Sequence, residues 1–98
     1  MNIPKEIKIG GLIYTVEVTE NITMGANYTG EIDYKTAAIR IRNMNNKVMQ
    51  KSLWHELFHG IYDHLGYFEH DEKVIDELAG AIYAIIVDNP EMFKEEQV

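Results

Sequence analysis

"LWHELFHGIYDHLG" (residues 53–66) reads as a single amphipathic helix. Its apolar residues Leu53, Trp54, Leu57, Phe58, Ile61 and Leu65 recur at three- and four-residue intervals, the period of a helix with one buried face. Gly66 stands where a left-handed residue would close it. Residues four apart on a helix share a face, about one turn from each other. His55 and His59 fall in that relation, with Glu56 directly after the first of them. The helical reading therefore settles both how this half of the chain folds and whether two imidazoles point the same way.

Working outward, Asn45 or Asn46 in "RNMNN" offers an N-cap, and Val48 extends the apolar set toward it. On the other side the short connection "YFEH" leads to Asp71, which can cap a second helix carrying Val74, Ile75, Leu78, Ile82, Ile85 and Ile86 inward. "DNPE" (88–91) ends that helix, and Asn89-Pro90 suits a short terminal helical turn. The first half alternates instead of cycling. "IKIGGLIYTVEV" (7–18) places β-branched and aromatic residues on both sides of Gly10-Gly11, a tight hairpin turn, with Tyr14, Val16 and Val18 on one face. "YTGEIDY" (28–34) and "AAIRIR" (37–42) form a second hairpin around Lys35-Thr36, Ile39 and Ile41 sharing a face. The expectation is an α+β chain: a small antiparallel sheet of two N-terminal hairpins followed by a helical hairpin. Residues 1–42 are mainly strands and 45–98 mainly helices, in one domain.

Bulk properties narrow the function classes. At 98 residues there is room for one modest core. The formal charge of −7 is the opposite of a nucleic-acid footprint, so no nucleic-acid partner is expected. "AGAIYAIIV" is too short to span a bilayer, and the N-terminus lacks the apolar core of a signal peptide. The absence of cysteine suits a reducing, cytoplasmic setting. It also means that any metal must be held by His and carboxylate.

His55, Glu56 and His59 satisfy H-E-x-x-H, in which two imidazoles bind Zn2+ and the intervening carboxylate takes a proton from water. A chance match in a chain this long arises at roughly the one-in-a-hundred level. A third ligand is needed. His64 is nine residues from His55 and points to roughly the opposite side of the helix. Leu65 stands where metzincins carry their third histidine. His70, in the connection, reads as an exposed loop histidine. The helical hairpin offers carboxylates instead. An antiparallel partner beginning near Asp71 reaches the level of His59 about six residues in, at 76 or 77. Asp76 borders the apolar stripe, Glu72 shares its side in the first turn, and Glu77 points away. The order of preference is Asp76, Glu72, Glu77.

The run "GEIDYKTAAIRI…LWHELFHGIYDHLG…VIDELAGAIYAIIVDNPEM" resembles small phage and prophage metallopeptidases of the ImmA/IrrE type, gluzincin-like zincins, over most of the chain. H-E-x-x-H is its specific element; the rest supports the match by order and spacing. The resemblance implies a minimal zincin-like fold, zinc on His55 and His59, and Glu56 as general base. It also implies a third ligand within an E-x-x-A-[N/D] pattern, which here reads Asp76-Glu77-Leu78-Ala79-Gly80: the ligand is shortened to Asp and the last polar residue is Gly. A second likeness, of "HGIYDHLGYFEHD" to a three-histidine endoribonuclease motif, fails on the spacing of its histidines at 59, 64 and 70.

The expected function is zinc-dependent peptide hydrolysis on a peptide or protein substrate lying along a sheet edge such as "AAIRIR". Tyr62, Tyr83 and His64 are candidates for stabilising the oxyanion. The competing expectation is a weakly active or inactive zincin-like protein that binds a regulatory partner.

Overall fold

The computed structural model describes residues 2–94, so the expected helical span reaches past it: residues 95–98 lie outside the described residues. Strands β1 (Glu6–Ile9), β2 (Leu12–Thr19), β3 (Gly30–Asp33) and β4 (Ala38–Arg42) precede helices α1 (Asn46–His64) and α2 (Glu72–Asp88) and a short 3-10 helix, Pro90–Phe93. The α+β expectation holds, and both hairpins form. Gly10 and Gly11 both take positive φ, +57° and +89°, the backbone of a two-residue turn whose twist matches its strands. In the second hairpin the Asp33 carboxylate accepts from the amides of Lys35 and Thr36 at 3.0 and 3.2 Å, closing the turn.

The sheet is not purely antiparallel. Its order is β1-β2-β4-β3, and β2 pairs with β4 in parallel, Val16 opposite Ile39 and Val18 opposite Ile41. The expected edge strand "AAIRIR" is therefore interior, and β3 is the edge. Burial explains the exchange: Ile39 and Ile41 are both 0% exposed, and only a central strand covers both so completely. Residues 20–29 carry the chain past the intervening position. Arg42 holds this crossover by donating to the carbonyls of Glu20, Gly25 and Tyr28 at 3.0–3.3 Å. Glu31, buried and paired with Arg40, accepts from Thr23 Oγ1 at 2.8 Å and the Met24 amide at 3.0 Å.

Tyr14, Val16, Ile39 and Ile41 face Leu53 and Leu57 of α1, which lies across the sheet. Val18, expected on the same inner face, is exposed at the strand's end. Among the described elements α2 packs on α1 and the terminal 3-10 helix, not on the sheet. A helix with one neighbour buries a narrow stripe: Ile75, Ala79 and Tyr83 are covered, while Val74, Leu78 and Ile85, expected inward, are exposed. Replacing Ile39 by Ala is expected to cost roughly 2–5 kcal/mol of stability, read from the urea midpoint, and Val18→Ala no more than about 0.5. Equal losses would mean that the core does not lie where β4 is central.

The caps follow the sequence. The Asn45 side chain accepts from the Val48 amide at 3.1 Å, and Asp71 accepts from the amides of Lys73 and Val74. At the end of α1, Gly66 (φ +87°) lets its own amide reach the Asp63 carbonyl and that of Tyr67 reach Tyr62, both at 3.0 Å. This pair of bonds turns the chain back along the helix it has just left.

Candidate metal centre

The buried side of α1 carries polar groups beside its leucines: Gln50, Ser52, Glu56 and His59 are all covered. Ser52, Glu56 and His59 face the gap between the sheet edge at β3 and the first turns of α2. Ser52 bonds Thr29 across this gap at 2.7 Å. The Glu56 carboxylate lies beside Gly30, its Oε2 3.4 Å from where a Cβ there would stand. A Cβ at Gly30 would press instead on the Arg40 carbonyl and Ile41 Cδ1, each 3.2 Å away.

His55, His59 and Glu72 present one donor each, all within 4.8 Å of one another, and such a group can hold a metal ion. His55 Nε2 is 3.1 Å from Glu72 Oε2, and His59 Nε2 is 2.8 Å from Glu72 Oε1. The outer nitrogens have their own partners. His55 Nδ1 lies 3.4 Å from Asp76 Oδ1, and His59 Nδ1 lies 2.7 Å from Nδ1 of His70.

The expected third ligand changes accordingly. Asp76, preferred from helix arithmetic, sits on the far side of His55, and Glu72 occupies the position between the imidazoles. The arithmetic assumes a connection leading away from α1. The chain instead doubles back at Gly66, so that the His70 ring centre lies 5.0 Å from that of His59. α2 therefore starts almost level with His59, one turn earlier than the hairpin count requires. Glu77 lines a neighbouring cleft without joining the donor group.

His70, expected as an exposed loop histidine, is partly buried against His59 and Tyr62. His64 lies over the turn at Gly10. Tyr62 packs on His70 and Tyr67, and Tyr83 is buried in α2. Neither His64 nor either of these tyrosines lines the clefts beside the donor group. Tyr34 does, sharing a recess of about 370 Å³ with His55, Glu56, His59 and Glu72. Burial, with Asp63 and Glu56 nearby, pushes its hydroxyl up to about 12. The sequence signal is its place at the end of "GEIDY", but only the order of strands shows that this end meets α1.

The electrostatics can accommodate a cation. Burial holds His59 below the ordinary histidine value, more strongly than Glu72 raises it. A neutral Nε2 lone pair and a carboxylate oxygen 2.8 Å apart repel unless a proton or cation stands between them. Burial also pushes Glu56 up to about 7, opposed by His55 and reinforced by Glu72 and Glu31. Two imidazoles and a carboxylate are a zinc donor set, and three protein ligands leave one position for water or substrate. The donors therefore fit such an ion, with Glu56 beside it. A cleft of about 560 Å³ opens on the other side of His55, between Asn27–Gly30 and Asp76–Gly80.

No described helix is long and apolar enough to cross a membrane. Compared with protein-family models, curated proteins and solved structures, the chain matches none.

Proposed function

We propose that the chain is a zinc-dependent metallopeptidase of the ImmA/IrrE-like type. Glu56 carries this reading: a carboxylate only 7% exposed, placed one residue after a donor histidine and titrating near 7, is poised as a base at neutral pH. His55, His59 and Glu72 would hold the ion. Zinc supplies Lewis acidity at such a site, polarising a carbonyl and lowering the pKa of water. Glu56 removes a proton from the attacking water and returns it to the departing amine nitrogen. Tyr34, protonated throughout the ordinary pH range, is the phenol available to donate to the carbonyl oxygen as charge develops. Asp76 steadies His55 through Nδ1, as carboxylates commonly do behind a metal-bound imidazole.

The test is incubation of zinc-loaded protein with a library of unstructured peptides, followed by mass spectrometry of new termini. Cleavage that a chelator removes and zinc restores is expected. No new terminus at any zinc occupancy would overturn the reading.

The second reading, a partner-binding regulator with little or no activity, is favoured by one feature. Val74, Leu78 and Ile85 leave an apolar stripe exposed along the outer face of α2.

A further inference from the structure

His70 belongs to no motif and is not among the three donors that converge on one point. Both of its ring nitrogens are nonetheless engaged. Nε2 lies 2.8 Å from the carbonyl of Tyr67, which can only accept, so this nitrogen carries a proton. In a neutral imidazole the other nitrogen, Nδ1, is then a bare acceptor. That acceptor lies 2.7 Å from Nδ1 of His59, which must therefore donate. With the proton of His59 held on Nδ1, its Nε2 keeps the lone pair, and Nε2 is the nitrogen directed at Glu72. The ring is held for this task. It lies end to end with His59, the ring centres 5.0 Å apart and the planes inclined by 24°, and meets the edge of Tyr62 at 5.4 Å. The Tyr67 carbonyl is itself placed by the bonds that close α1 at Gly66.

We propose that His70 is a positioning residue for the metal centre, its Nδ1 fixing the tautomer of His59 so that Nε2 is the metal-binding nitrogen. The inference rests on His55, His59 and Glu72 being metal ligands. The two nitrogens of an imidazole diverge, so a group bonded to Nδ1 of His59 cannot share the ion at Nε2. His70 is therefore not a fourth ligand to that ion. Outer partners of this kind change metal affinity by about 10- to 100-fold.

Two variants separate the acceptor from the ring. His70→Phe keeps an aromatic ring against Tyr62 and removes the acceptor. His70→Asn keeps an acceptor near the Nδ1 position in a smaller side chain. Zinc affinity is measured by competition with a chromophoric chelator at pH 8. Histidine ¹⁵N spectra of the metal-free and zinc-loaded chains show which nitrogen of His59 bears the proton. Thermal unfolding establishes that each variant is folded. His70→Phe is expected to weaken zinc binding by about 10- to 100-fold and to release the Nδ1 proton, with His70→Asn within a few-fold of wild type. A His70→Phe chain that binds zinc like wild type, with His59 still protonated on Nδ1, overturns the proposal. So does a His70→Asn chain no better than His70→Phe. If the wild type takes up no zinc, the metallopeptidase reading falls separately. The metal-free spectra then decide the His70 question: an Nδ1 proton kept in wild type and His70→Asn but lost in His70→Phe supports it, and no difference overturns it.

Discussion

Glu56→Gln is expected to leave zinc binding intact and to lower the hydrolysis of any peptide the wild type cleaves by about 10²- to 10⁴-fold, the usual worth of a positioned general base. Glutamine keeps the size and polarity of the side chain but cannot take the proton. The same change is expected to stabilise the metal-free chain in mild alkali. Burial lifts Glu56 from its ordinary 4.5 to about 7, so the folded chain retains a proton that the unfolded chain has already released. Stability therefore falls as pH rises from about 4.5 to about 7 and levels off above that, a total on the order of 3 kcal/mol. An uncharged glutamine at this position has no such slope. Urea midpoints at pH 5 and pH 8 measure it: the wild type loses stability between them, and the variant is the more stable chain at pH 8. Loss of activity with gain of stability is the mark of a group kept for chemistry at the expense of the fold. A variant that still hydrolyses peptides would sink the role of Glu56. A substitution silent in every assay, in a chain that binds a partner through α2, would favour the regulator.

How much of this was legible depended on how local each feature is. Gly10-Gly11, Asn45, Gly66 and Asp71 act within a few residues of themselves, through turn and cap geometry that the sequence states directly. Strand order does not follow from such rules. The parallel pairing of β2 with β4 is a contest for the most buried place, decided by Ile39 and Ile41 against the length of the 20–29 crossover. The same divide runs through the site. His55, Glu56 and His59 lie on one helix, where spacing alone brings them together. Glu72, Tyr34 and His70 reach the site through long-range geometry: where α2 begins, where β3 ends and how the 65–71 connection folds. The preference for Asp76 requires that connection to lead away from α1. The bonds at Gly66 turn it back and move the level of α2 by one helical turn.

Elemental analysis of protein purified without chelator is expected to find about one zinc per chain, and almost none after His59→Ala. The informative comparison is between the two acidic side chains. Glu72 lies between both imidazoles, so Glu72→Ala removes a ligand and is expected to weaken zinc binding by well over about 100-fold. Asp76 meets His55 from the outer nitrogen, so Asp76→Ala is expected to cost about 10- to 100-fold and to leave the stoichiometry unchanged under excess zinc. The reverse order would make Asp76 the ligand and would require the two helices to move by a turn on loading. A wild type that stays folded, holds no metal and cannot be loaded would remove the basis for hydrolysis altogether. His55 and His59 would then be explained by their contacts with Glu72, Asp76 and His70. The same contacts would serve only to pin the start of α2 against α1.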